Sequence, residues 1–86
     1  MYKILVKKSV EKQLTKIPKK DLTRIDKIIL SLTSNPFPQQ IKQLHTKPKT
    51  FRIRQGDYRI LYTVDDLRKE VTIFAIKHRK EVYREL

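Results

Sequence analysis

The chain has 86 residues, a length that suits one small domain, and we predict a single domain over residues 1–86. It carries 21 lysine and arginine residues against 9 aspartate and glutamate residues, a formal net charge of +12. Nucleic acid is the expected partner, because its phosphate backbone is the matching anionic surface. The sequence contains no cysteine, which excludes disulfide bonds, thiolate catalysis and metal sites built on thiolates.

The first part of the chain predicts a strand followed by two helices. Residues 1–6 are rich in strand-forming side chains, and their apolar run is too short for a signal peptide or a membrane span, so we expect a cytoplasmic protein. Ser9 predicts the N-cap of a first helix that Pro18 ends, and Asp21 the N-cap of a second helix that ends before Pro36. Apolar residues recur at helical spacing in both segments, at Val10, Leu14 and Ile17 and then at Leu22, Ile25, Ile28, Ile29 and Leu32. These stripes predict a helical hairpin with one shared apolar side.

The second part of the chain predicts a loop and then three strands. Residues 35–50 lose all periodicity and contain three of the four prolines, which predicts a connecting loop with one short turn around residues 40–44. Apolar and polar side chains then alternate from Phe51 and again from Tyr58, and the third strand, residues 71–76, is apolar on both faces, as expected of a strand covered on both sides. Residues 77–86 predict a terminal helix.

The predicted fold class is therefore α+β. An N-terminal strand and a helical hairpin precede a three-stranded antiparallel meander that completes one sheet, and a short C-terminal helix follows.

The first two strands of the meander predict a hairpin with a cationic face. Gly56 occupies the first central position of a two-residue type II′ turn, so pairing across it puts Arg54 opposite Arg59. Like charges in that position destabilise a sheet by some tenths of a kcal/mol, so stability alone would not select them. Guanidinium groups bind phosphate oxygens bidentately and stay charged, which suits them to a scissile phosphate and its transition-state charge. The alternative is an exposed basic sheet face without a function.

The segment after the last strand concentrates groups that RNA cleavage requires. A ribonuclease without a metal needs a base for the 2′-hydroxyl, an acid for the leaving oxygen and cations around the phosphate. His78 could act as acid or base, Tyr83 could stack on a base or donate its hydroxyl, and Arg79 would share a helix face with Tyr83. The alternatives are a helix-start role for His78 and a core role for Tyr83.

We expect no metal and no cofactor, because the two histidines are far apart and His45 has no clustered partners. Further basic residues are candidates for RNA contacts: Arg52, Lys47, Lys49, Lys77 and Lys80.

Three segments, F-R-I-R at 51–54, G-D-Y-R-I-L-Y at 56–62 and H-R-K-E-V-Y at 78–83, carry a resemblance to a known family. Over nearly its whole length the chain resembles the RelE/ParE superfamily of toxins from bacterial and archaeal toxin–antitoxin systems, and most closely its RelE branch. The resemblance implies an endoribonuclease that enters the ribosomal A site and cleaves the mRNA codon there through 2′-hydroxyl attack. It also implies a cognate antitoxin, acidic and partly helical, that wraps around the toxin and silences it.

By position, the resemblance implies functional roles for the hairpin arginines and for two C-terminal residues: Arg52, Arg54, Arg59, Arg79 and Tyr83. Relatives of the type member carry lysines where this chain has Arg52 and Arg54, and arginine is a poor general base because it hardly ever gives up a proton. We therefore hypothesise that His78 takes on acid–base work.

Two other functions fit the same pattern. One is a ParE-like block of DNA gyrase, and the other is a non-catalytic module that binds RNA or the ribosome. The H-R-x-x-V-Y ending favours RNA cleavage. That mechanism requires the hairpin arginines to meet His78, Arg79 and Tyr83 around one phosphate-sized site.

Overall fold

A computed structural model describes residues 1–37, the backbone of residues 41–44, and residues 50–80. The described elements, in chain order, are β1 (Lys3–Val6), α1 (Lys8–Leu14), α2 (Lys19–Ser31), β2 (Ile41–Leu44), β3 (Thr50–Gln55), β4 (Tyr58–Asp65) and β5 (Glu70–His78). The predicted α+β class is confirmed, with the strand, the helical hairpin and the meander in the predicted order. Neither described helix is long and apolar enough to span a membrane.

The five strands form one sheet in the order β1-β5-β4-β3-β2. β1 runs parallel to β5, and the other neighbouring pairs are antiparallel. The predicted hairpin register is confirmed, since Arg54 pairs with Arg59 and Phe51 with Tyr62. Gly56 has a φ of 59°. Asp57 is not among the described residues with positive φ, which fits a type II′ turn and not a type I′ turn.

Two predicted element types were wrong. Residues 41–44, predicted as a turn, form β2, because they pair along the edge of β3 and a four-residue strand is too short to show a period. Lys77 and His78, predicted to start a helix, belong to β5, because Arg59 and Tyr58 extend the β4 ladder to meet them. Residues 81–86 lie outside the described residues.

Both predicted helix starts were also wrong. The N-cap of α1 is Lys7, so Ser9 already lies within the helix. The N-cap of α2 is Pro18, and Asp21 lies in the first turn. A carboxylate there still interacts favourably with the positive end of the helix dipole.

The helices cover one face of the sheet. Val10 of α1 and Ile25 of α2 join the strand residues Ile60, Tyr62 and others in one buried core. Side chains alternate along a strand, so the odd-numbered residues of β4 lie on the other side, which we call the open face. The expectation that residues 71–76 are covered on both sides was wrong for the described part of the chain, because both of its helices pack on the same side.

Candidate nucleic-acid interface

Three basic side chains lie side by side on the open face and cross three strands. Arg54 of β3 pairs with Arg59 of β4, which pairs with Lys77 of β5. Each alternates with a residue that faces the helices, so all three project to the open face. Arg54 is exposed, and Arg59 and Lys77 are half-buried. We call these residues the cationic row.

The tip of the hairpin extends this positive surface. Arg54 Nε donates a hydrogen bond to the carbonyl of Gly56 at 3.2 Å, which holds its guanidinium beside the turn. The backbone N–H of Arg79 donates to the carbonyl of Asp57 at 2.6 Å, so the C-terminal segment leaves the sheet at the same turn. Arg52 lies two residues before Arg54 on the same face, opposite Leu61. Arg52, Arg54, Arg59 and Lys77 therefore lie at one end of the open face, and the backbone of Arg79 lies beside the same turn.

His78 lies on the other side of the sheet. It pairs with Tyr58, and the two rings meet edge to face with their centroids 5.0 Å apart. Both rings line a cavity of 240 Å³, together with Gln13, Lys16 and Ile17 at the α1 end of the fold and Ile76 of β5. The structure does not bring His78 to the cationic row, because β5 continues past Ile76 and the alternation of side chains turns His78 toward the helices.

The His78 ring does contact the C-terminal segment. Its Nδ1 accepts a hydrogen bond from the backbone N–H of Lys80 at 3.1 Å. Lys80 itself is exposed. Three predicted site residues, Lys47, Lys49 and Tyr83, lie outside the described residues, and their roles stay predictions.

Two features of the open face were missed in the sequence. Lys77 was expected to contact RNA from a helix, whereas it is the third member of the cationic row. Phe74 was taken for a covered strand residue. The two-residue spacing of Ala75 and Lys77, which is typical of one face of a strand, could have placed Lys77 in β5. No pattern in the sequence marks the position of Phe74, because that position depends on a bulge in the pairing of β4 with β5.

The pKa of Tyr62, a residue of the buried core, is clearly displaced. Burial raises the pKa of its hydroxyl to about 12. The hydroxyl donates to the carbonyl of Pro36 at 2.8 Å and so ties the chain after α2 to the sheet. Within the described residues no group of three or more histidine, cysteine or acidic side chains is placed to hold a metal ion.

The sequence model of the ParE toxin of type II toxin–antitoxin system, parDE, matches residues 4–83. A Methanocaldococcus jannaschii protein that carries the name toxin RelE1 is 30% identical over 88 residues, which cover 96% of each chain. Toxin RelG of Mycobacterium tuberculosis is 46% identical over 35 residues, 41% of this chain and 40% of the relative.

Solved structures agree with these sequence matches. A chain in the crystal structure of the archaeal RelE–RelB complex from Pyrococcus horikoshii OT3 superimposes with a TM-score of 0.84 at 29% identity, covering 91% of this chain and 94% of that one. The toxin–antitoxin complex RelBE2 from Mycobacterium tuberculosis gives a TM-score of 0.77 at 29% identity, covering 91% and 98%.

Proposed function

Because this chain belongs to the ParE toxin family of type II toxin–antitoxin systems and is RelE-like, we propose that it is an endoribonuclease that cleaves mRNA in the ribosomal A site. The observation that carries the proposal is the cationic row. Arg54, Arg59 and Lys77 stand next to one another across three strands, although like charges in neighbouring strands lower stability. A bound phosphate offsets that repulsion. The row stabilises a scissile phosphate most strongly in the transition state, because the negative charge of the phosphate grows there.

The reaction is an attack of a 2′-hydroxyl oxygen on the neighbouring phosphorus. The bond from phosphorus to the 5′-oxygen breaks, and the products are a 2′,3′-cyclic phosphate and a 5′-hydroxyl. The 2′-hydroxyl proton passes to a base, and an acid supplies a proton to the leaving 5′-oxygen. No metal or cofactor enters this scheme. Arg54, Arg59 and Arg79 stabilise the phosphate charge, and Tyr83 is the proposed stacking or proton-donating residue.

Placement of His78 behind the sheet changes the role that we propose for it. Its imidazole holds the backbone N–H of Lys80 and packs on Tyr58. It therefore acts as a positioning residue for the segment that carries Arg79 and Tyr83. The remaining basic candidates bind RNA around the scissile phosphate: Arg52, Lys47, Lys49, Lys77 and Lys80.

This role for His78 has a test with a matched pair of variants. Asparagine offers a side-chain oxygen that can accept the Lys80 hydrogen bond but cannot act as an acid or base near neutral pH. We expect single-turnover cleavage by His78→Asn to stay close to wild type and cleavage by His78→Ala to be slower. Equal large losses in both variants, together with a changed pH profile in His78→Asn, would restore the acid–base role.

The proposed partner is a cognate antitoxin. The solved structures of similar chains include complexes with RelB antitoxins. A net charge of +12 on 86 residues favours an acidic cover, because complementary charge speeds and orients association. We propose that the pair assembles in the cytoplasm.

Cleavage is tested on message bound to ribosomes and on free RNA, with the product ends identified. We expect 2′,3′-cyclic phosphate ends, and no cleavage when the reacting nucleotide is replaced by its 2′-deoxy analogue. Arg59→Met should lower the single-turnover rate by about 10²–10³, the usual loss when one group that stabilises the transition-state charge is removed. The control is Arg68→Met, because Arg68 lies in the β4–β5 turn with a 78% exposed side chain.

Two results would contradict the proposal. Binding without scission would indicate a non-catalytic RNA-binding or ribosome-binding module. The match to a ParE family model favours a gyrase block as the second candidate function. That candidate predicts inhibited DNA supercoiling with the message left intact.

A further inference from the structure

An aromatic side chain lies on the open face beside the cationic row. The register between β4 and β5 shifts at Leu61 and Tyr62, which pair with Ala75 and Ile73, so Phe74 between them has no partner in β4. A bulge of this kind redirects the side chain of the extra residue. Phe74 is half-buried, but it is not among the residues that form or pack against the buried core.

A lysine stands next to this ring. The backbone N–H of Lys7 donates to the carbonyl of Ile73 at 3.2 Å, and the Lys7 carbonyl accepts from Val10 at 2.9 Å, so the Lys7 backbone is held at both ends. Its Nζ lies 5.9 Å from the centroid of the Phe74 ring. That distance is at the outer limit of a cation–π contact. The long side chain can therefore exchange this weak contact for a phosphate.

We propose that Phe74 is a stacking site for a nucleobase of unpaired RNA and that Lys7 contacts a phosphate of the same strand. The RNA ligand rests on the proposed function, whereas the site follows from the geometry of the sheet. Phe74 lies three residues from Lys77 along β5, roughly 10 Å at the rise of a strand. The side chains between the ring and the cationic row on this face are apolar, Leu61 and Ala75.

Charge on both sides of the ring selects RNA as the occupant. Lys7 lies on one side, and Arg59 and Lys77 lie on the other, so an anionic strand that crosses the ring meets cations before and after it. Aromatic rings between basic side chains are the usual way in which proteins bind single strands. Stacking also tolerates any base, because every base has a π-face.

The far end of the open face sets a limit to the site. There a groove is lined by three acidic residues, Asp65, Asp66 and Glu70, and by one basic residue, Arg68, among others. The acidic residues outnumber the arginine and repel phosphates, so an RNA strand is held over Phe74 and the cationic row and does not continue into this groove. The stacking site thus adjoins the proposed cleavage site.

The experiment measures binding of a short 2′-O-methyl oligoribonucleotide, which cannot be cleaved, and of the same oligomer with one abasic position moved along it. Stacking contributes about 1–3 kcal/mol per base, which is about 5- to 150-fold in Kd. We expect Phe74→Leu to weaken binding of the intact oligomer by that factor and Phe74→Tyr to bind within about threefold of wild type. When the abasic position coincides with the stacked base, wild type should bind the oligomer more weakly than the intact one by the same factor. Phe74→Leu should bind that abasic oligomer and the intact one equally well.

The matched control is Phe37→Leu. Phe37 is 42% exposed and packs edge to face on Phe51, which belongs to the buried core on the helix-covered side. This variant should bind the oligomer like wild type. Thermal unfolding verifies that each variant is folded.

Two results would overturn the inference: wild-type affinity of Phe74→Leu for the intact oligomer, or losses at the abasic positions that are the same in Phe74→Leu as in wild type. The proposed function fails separately. If wild type, but not Phe74→Leu, loses affinity at one abasic position and no cyclic phosphate products form, the stacking site is confirmed and the protein does not cleave RNA. If cleavage occurs and Phe74→Leu binds and cleaves like wild type, only the stacking site is lost.

Discussion

The cationic row predicts that removing one arginine raises stability while it removes activity. Arg59 has two like-charged cross-strand neighbours, Arg54 and Lys77, whereas Arg54 has only Arg59 within the row. A cross-strand pair contributes about 0.2–1 kcal/mol. Arg59→Met keeps the unbranched stem of the side chain and relieves two unfavourable pairs, so its free energy of unfolding should rise by about 0.4–2 kcal/mol. Arg54→Met relieves one pair and also loses the hydrogen bond to Gly56, so its gain should be smaller.

Urea denaturation at two salt concentrations measures this effect. Screening shortens the range of charge interactions from about 10 Å at 0.1 M salt to about 3 Å at 1 M, so the gain should shrink as salt rises. Arg24→Met controls for the general repulsion of a protein with net charge +12, because Arg24 is exposed on α2 and lies outside the row. If Arg59→Met is no more stable than Arg24→Met, or if its gain does not depend on salt, the like charges of the row do not lower stability and this prediction is wrong. The same variant must lose cleavage, the usual opposition of stability and function at a binding site.

Three further predictions concern the framework that holds the row. Tyr62→Phe leaves the buried carbonyl of Pro36 without its donor, so urea denaturation should show a loss of about 1–2 kcal/mol; an unchanged midpoint would mean that the bond contributes nothing. Burial raises the pKa of Tyr62 to about 12 from 10.0, so the folded chain holds this proton more tightly than the unfolded chain. The contribution of this hydroxyl to the free energy of unfolding is complete below pH 10 and falls by about 2–3 kcal/mol as the pH rises to 12. The difference in free energy of unfolding between wild type and Tyr62→Phe across that pH range isolates this contribution. Gly56→Ala should lower the free energy of unfolding in urea by about 1–2 kcal/mol through backbone strain alone, because φ is 59° and no atom lies within 4 Å of an added Cβ. Gly56→Asn should lower it less, and equal losses in both variants would contradict this reason.

The hairpin could be predicted from the sequence because its determinants are local. Gly56 fixes the turn, the turn fixes the register, and the register places Arg54 beside Arg59. β2 could not be predicted in this way, because four residues are too few to show the alternation of a strand. These residues form a strand because they pair with β3.

The position of His78 depended on information that is not local. The charged composition of residues 77–80 suggested a helix, whereas pairing of Lys77 and His78 with β4 extends β5 by two residues. Successive side chains of a strand point to opposite faces, so the extension of β5 places His78 on the opposite side of the sheet from Lys77. The bulge at Phe74 has the same origin, because it arises from the match between β4 and β5 and not from either strand alone.

Binding of RNA to the open face at the cationic row can be measured by NMR, with backbone amide shifts recorded as a non-cleavable RNA oligomer is added to the folded protein. We expect the shifts to cluster at Arg54, Arg59 and Lys77 and at the turn between β3 and β4. Shifts confined to Gln13, Lys16 and the helix-facing side around His78 would contradict it.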